Sequence, residues 1–216
     1  MTPPEELARA NFYGLLARLL YAPPDAALLE ALAGADTLLA DEGAMGDAWQ
    51  ALAQAAALAD VETVREAYES TFVGTGKAPV TLYTTAYTLR YSSEAPLVAL
   101  RADLAALGLA RHESSHEPED HIAALCDTMR HLIAMQEPGL GQQSRFFNRW
   151  IAPAAQPLCE AIATPRSGAF YEHVGHFARA FFELEQSAFE IFGAGTPQRI
   201  RSSNAPDTDL ESKPGH

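Results

Sequence analysis

Apolar positions recur three and four residues apart along most of the chain. Segments that alternate for more than a few residues are absent, so the pattern predicts helices and no strands. Glu5 to Tyr21 carries Phe12, Leu15, Leu16, Leu19 and Leu20 on one stripe, and Pro23-Pro24 stops it. Asp25 is placed to cap a short second helix bearing Leu28, Leu29 and Leu32, which gives out near Gly34. A third helix is predicted over Gly46 to Ala59. A fourth starts around Asp60, with Val61, Val64, Tyr68 and Phe72 along one side. Ala95 to Leu107 follows, ended by Gly108. Pro118 to Gln136 is strongly amphipathic, with Ile122, Leu125, Met129, Leu132 and Ile133 as its stripe. A helix from about Gln142 carries Phe146, Phe147, Trp150 and Ile151 and should bend at Pro153 or Pro157. After a turn at Pro165-Arg166-Ser167-Gly168, the last helix, Ala169 to Phe192, presents Phe170, Val174, Phe177, Phe181, Leu184 and Ala188.

The stretches between these helices hold the candidate chemistry. Tyr83, Tyr87 and Tyr91 recur at i, i+4 and i+8, which would stack three phenol rings on one helical face. Most of that stripe is expected in the core, although tyrosine also suits a groove, having an apolar body and a polar tip. Residues 109–117 are polar and irregular, as a hinge between two halves would be. Glu113, Glu117, Glu119 and Asp120 then place four carboxylates in eight residues, with His112, His116 and His121 among them. Proline is favoured at the first helical position and keeps its predecessor out of the helix. The helix should therefore start at Pro118, with Glu117 as a carboxylate cap and Glu119 and Asp120 in its first turn, where the dipole favours anions. Asp120 would then face solvent, and His121 would be half buried at the edge of the stripe. The expected organisation is an N-terminal helical lobe over 1–112, a C-terminal lobe over 113–192 and a disordered tail over 193–216, rich in Pro, Ser, Thr and Asp.

Net charge changes the picture. It is −13, and the tail from Gly193 is formally neutral, so the whole excess falls on the part that folds. Such a surface argues against nucleic acid and for a basic partner. The chain begins without a signal-peptide pattern and has no run near the ~18 apolar residues of a membrane span, which predicts a soluble, cytosolic protein without stable membrane insertion. Two cysteines, Cys126 and Cys159, without a CxxC pattern, do not make a disulfide-stapled domain.

Enzymatic signatures are weak. Val73-Gly74-Thr75-Gly76-Lys77-Ala78-Pro79 is glycine-rich but fails as a phosphate loop: Thr71 replaces the first glycine and Ala78 the hydroxyl. Glu117 with His121, and Glu172 with His176, lack the Glu-x-x-His spacing of di-iron bundles. His173 and His176 could touch one ion, although a solvated helix face is the commoner fate. Asp120 and His121 are adjacent and so point about 100° apart on a helix, a poor acid–base pair. A helical metal-dependent enzyme using Glu117, Asp120, His121, His173 and His176 is the alternative reading, and a regulatory helical adaptor a third.

Glu117-Pro118-Glu119-Asp120-His121 resembles the Glu-Pro-x-Asp-His signature of the TorD/DmsD/NarJ family of redox-enzyme maturation chaperones. Three features in the family's order support this. They are Asn11 to Leu20 followed by Pro23-Pro24-Asp25, Tyr68-x-x-x-Phe72-Val73-Gly74 leading to Tyr83 and Tyr87, and Arg101 to Gly108-Leu109 before the signature. Thr71 departs from the apolar residue usual before the phenylalanine, and tyrosines replace some members' tryptophans, which touches client choice and not fold. The resemblance implies an all-α bundle of two lobes joined by a hinge loop, without enzymatic activity or cofactor. Such a chaperone holds an apo-molybdoenzyme catalytic subunit by its twin-arginine signal peptide or N-terminal region until the molybdenum cofactor is inserted, with the insertion machinery as a further partner. Carried over, Glu117, Pro118, Asp120 and His121 would line the binding loop, and Phe72, Tyr83 and Tyr87 the apolar part of a peptide groove. A basic pair followed by an apolar run suits carboxylates beside aromatics, because guanidinium pairs bidentately with carboxylate and an apolar helix can lie in a groove.

Overall fold

Pro4 opens the first helix because a proline at this position loses no hydrogen bond, and Glu5 and Glu6 in the first turn complement its dipole. The computed structural model describes residues 3–35, 43–74, 77–88, 95–110, 117–135, 139–164 and 168–195. These form α1 (Pro4–Tyr21), α2 (Ala26–Ala33), α3 (Ala44–Leu58), α4 (Val61–Tyr68), a π-helical turn (Glu69–Val73), α5 (Thr85–Thr88), α6 (Pro96–Ala106), α7 (Ile122–Ala134), α8 (Leu140–Trp150), α9 (Ala152–Ile162) and α10 (Gly168–Gly195). The fold is all-helical, as the periodicity predicts. Asp25 accepts from Leu28 N at 2.8 Å and Asp60 from Thr63 N at 2.9 Å, so both expected caps are formed.

The long helix α1 packs against α7, while α10 covers α3, α8 and α9. Tyr13, Leu16, Leu19 and Leu20 of α1 are fully buried, as are Leu125 and Met129 of α7 and Phe147 and Phe177 farther on. Phe12 meets Trp49, Phe177 and Phe181 edge-on with ring centroids 5.5, 5.5 and 5.6 Å apart, which ties α1 to α3 and α10. One hydrophobic core therefore includes residues from both sides of position 112. The stretch that would hinge the two lobes, 109–117, lies largely outside the described residues. Both cysteines are free and buried.

Several expectations change. The amphipathic helix starts at Ile122 and not at Pro118, and its cap is His121 and not Glu117. Tyr83 precedes α5, which spans only Thr85–Thr88, so the tyrosines do not stack on one helical face; Tyr91 lies outside the described residues. The last helix continues past Phe192 to Gly195, and the tail beyond it is outside the described residues, as are His112, Glu113, His116, Thr75 and Gly76. Among the described residues, no helix is long and apolar enough to cross a membrane.

Candidate functional site

The signature loop is a turn held from outside its own segment. His121 N donates to Pro118 O at 3.2 Å, closing a turn over Glu119 and Asp120. Immediately afterwards the backbone pairs with a distant strip: Ile122 N donates to Leu82 O at 2.8 Å and Thr84 N to Asp120 O at 3.0 Å, an antiparallel bridge between Tyr83 and His121. Those backbone bonds delay the helix by four residues relative to the local proline signal.

Each side chain of the signature takes a distinct place. Asp120 is buried, 3% exposed, and its Oδ2 accepts from Thr85 Oγ1 at 2.5 Å. It does not face solvent, because the bridge turns it inward beneath α5. Glu119 takes a bidentate pair from Arg101, at 2.9 and 3.1 Å. Glu117 accepts from Tyr83 Oη at 2.5 Å, and that bond, with burial behind it, pushes the phenol up to about 12. His121 is 6% exposed and not half buried. Its Nδ1 accepts from Ala123 N at 3.2 Å and so caps α7. The rings of Tyr83 and Tyr21 stand edge-on to it at 5.4 and 6.3 Å. Burial lowers the pKa of the imidazole, against the pull of Glu117 and Asp120.

The loop forms one end of a groove of about 610 Å³ between α1 and α7. Its walls include Ala10, Gly14 and Ala17 of α1 and Ala123 and Ala124 of α7, with Glu117, His121 and Tyr21 among its other lining residues. A Cβ on Gly14 would come within 2.9 Å of Arg130 Cδ, so glycine lets the Arg130 stem cross α1. Arg130 pairs with Asp127 at 2.8 Å, and both line the groove. A smaller depression of about 340 Å³ shares Glu117, Ala124 and Asp127 and continues past Pro118 and Glu119 to Leu104 and Leu109.

Of the residues singled out from the sequence, Glu117, Pro118, Asp120, His121 and Tyr83 come together here. Phe72 and Tyr87 do not. Phe72 packs edge-on against Tyr68 and Tyr171 at 5.2 and 5.0 Å, and Tyr87 donates to Thr81 O at 2.9 Å while α5 rests on α9. The α1 wall was missed. Its signal is present in the sequence as small residues at positions 10, 14 and 17, one helical face, with Tyr21 a turn beyond. Among the described residues, no three His, Cys, Asp or Glu side chains are grouped to hold a metal ion. His176 Nε2 stands 4.0 Å from Glu172, an i, i+4 neighbour on the same helix.

The sequence model of the nitrate reductase delta subunit family matches residues 39–183, well over half of the chain, and the chain belongs to that family, within the TorD/DmsD/NarJ group of redox enzyme maturation proteins. The matched span holds α7 and the signature loop but leaves out α1, which supplies the opposite wall of the groove. Among solved structures, one from Archaeoglobus fulgidus, described as a candidate redox enzyme maturation protein, superposes with a TM-score of 0.51 at 18% identity. The alignment covers 82% of this chain and 92% of that one, a likeness of fold. A comparison with curated protein sequences gave no match.

Proposed function

We propose that this chain is a cytoplasmic maturation chaperone without catalytic activity. It binds the N-terminal region of an apo-molybdoenzyme catalytic subunit, a twin-arginine signal peptide or its equivalent, and holds it until the cofactor is inserted. The observation that carries this reading is the groove between α1 and α7. It encloses about 610 Å³, is lined by small residues from both helices, and has a carboxylate and two aromatic rings at one end. Membership of the nitrate reductase delta subunit family favours a client of that enzyme class. Glu117 would meet a basic residue of the client, while the apolar part of the segment would be buried along the alanines and glycine. Pro118 shapes the rim, and Asp120 and Tyr83 hold the loop from behind. Phe72 and Tyr87 support the scaffold at a distance.

The test is calorimetric titration of a synthetic peptide comprising the N-terminal segment of the host's molybdoenzyme catalytic subunit into the full-length protein. Wild type should bind, and Glu117→Gln should bind about tenfold more weakly, the loss of one charge-assisted contact. Equal affinity in the two proteins would remove the groove as the binding surface.

A further inference from the structure

The two nitrogens of His121 have different jobs. Nδ1 accepts the Ala123 N–H, and a ring nitrogen that accepts carries no proton. Burial keeps the ring neutral, so its single proton sits on Nε2. Among the described residues, nothing accepts from Nε2. Nor is that atom sealed in: the fully buried side-chain polar atoms without a partner, among the described residues, are Thr71 Oγ1 and Gln142 Oε1. Nε2–H is therefore an unmet donor on a side chain only 6% exposed, and its ring lines the α1/α7 groove. The edge-on rings of Tyr21 and Tyr83 confine the imidazole and so fix the donor's direction.

The surroundings select the acceptor. Glu117 and Asp127 also line the groove, so a carboxylate brought to Nε2–H would meet like charge. The groove's cations have carboxylate neighbours of their own, Arg130 bonded to Asp127 at 2.8 Å and Arg18 standing 3.8 Å from Asp25 in solvent, where its charge is screened. A neutral carbonyl meets the donor without repulsion. Ala10, Gly14, Ala17, Ala123 and Ala124 leave room for a main chain to come close. We propose that His121 gives its Nε2–H to a main-chain carbonyl oxygen of the polypeptide bound in this groove, while the same ring's Nδ1 fixes the start of α7. This rests on the chaperone reading above and adds the group that is recognised.

Two substitutions separate the two jobs. His121→Asn puts a carboxamide oxygen where Nδ1 stood, and asparagine is among the best helix caps, but its short side chain cannot place a donor at Nε2. His121→Gln reaches the Nε2 position with an amide N–H and loses the short-range cap. With the same N-terminal peptide, the Asn variant should bind about tenfold more weakly at an unchanged urea midpoint. The Gln variant should recover part of that affinity at a lowered midpoint. Nitrogen-15 spectra of the ring should show the proton on Nε2 in the free protein, and the Nε2 resonance should move when peptide is added. An Asn variant that binds like wild type, or a Gln variant no better than Asn, overturns the proposal and leaves the chaperone reading standing. A ring proton on Nδ1 overturns it whatever the affinities. A wild-type protein that does not bind the peptide removes both.

Discussion

Glu185 offers the sharpest test of how this bundle is held together. Its carboxylate is 2% exposed on α10, yet it receives Arg9 Nε and Nη2 at 2.6 and 2.8 Å and Tyr13 Oη at 2.9 Å, both from α1. Arg9 also donates to Gln143 of α8 at 3.2 Å and lies over the Phe189 ring, so four side chains from three helices share one polar node inside the apolar core. Glu185→Ala strands the guanidinium and the phenol together. Removing one partner of a buried ion pair costs about 3–5 kcal/mol. Arg9 keeps Glu6 at 2.8 Å and an 18% exposed side chain, which places its share at the lower end, about 3 kcal/mol. The orphaned Tyr13 hydroxyl, fully buried, adds about 1 kcal/mol. The sum, about 4 kcal/mol, is a large part of an ordinary domain's stability and should lower the urea midpoint by about 1.5 M at constant slope. Tyr13→Phe, which leaves the ion pair intact, should cost only about 1 kcal/mol. The double variant Arg9→Met/Glu185→Leu, which removes both charges, should recover most of the loss. Equilibrium urea unfolding followed by circular dichroism reads all three. A Glu185→Ala midpoint within error of wild type, or a double variant no more stable than the single, would refute the argument that this node carries its weight as a desolvated charge pair.

Two further outcomes follow from local geometry. A Cβ on Gly175 would stand 2.5 Å from Ala163 N and 2.8 Å from its Cα, backbone that ends α9, so Gly175→Ala should destabilise by about 1–3 kcal/mol in thermal or urea unfolding instead of gaining the ~1 kcal/mol alanine brings to an open helix. Burial holds the pKa of His121 below its ordinary 6.5, so in mild acid the unfolded chain takes up the proton first and stability falls as pH drops below that value. Urea midpoints measured from about pH 7.5 to about pH 5.5 should fall more in wild type than in His121→Asn, and parallel curves would contradict the sign.

How far these features are legible in the sequence depends on the reach of the contacts that make them. Asp25 and Asp60 cap helices through bonds three residues long, and the spacing alone announces them. The stripe Leu125, Met129, Leu132 and Ile133 is buried as its period requires. Pro118 misled because its rule is equally local, while the backbone it should have started into a helix is held by Leu82 and Thr84; the Thr84 hydroxyl reaches Asp120 O across thirty-six positions. The same strip takes Tyr83 out of the helix that would have stacked it with Tyr87. Glu185 carries no local signal of its burial, which depends on Arg9 and Tyr13 arriving from the other end of the chain. The α1 wall of the groove was written in small residues, whose meaning depends on what packs opposite.

The acidic elbow therefore works differently from a patch of free charge. Glu119 is held by Arg101, and Asp120 is sunk beneath α5 with its Oδ2 on Thr85, so neither carboxylate lines the α1/α7 groove. Glu117 is the carboxylate of the elbow that both lines the groove and keeps an oxygen, Oε1, without a partner among the described residues, since Tyr83 takes Oε2. If a basic residue is gripped at this end, Glu117 is the group placed to grip it, with its direction set by the phenol behind it. Asp120 acts one step removed, by holding the turn that presents Glu117 and His121 side by side to the groove. On the proposed reading, substituting Asp120 would disturb the turn and the client contact together, whereas Glu117→Gln changes a charge and leaves the turn in place.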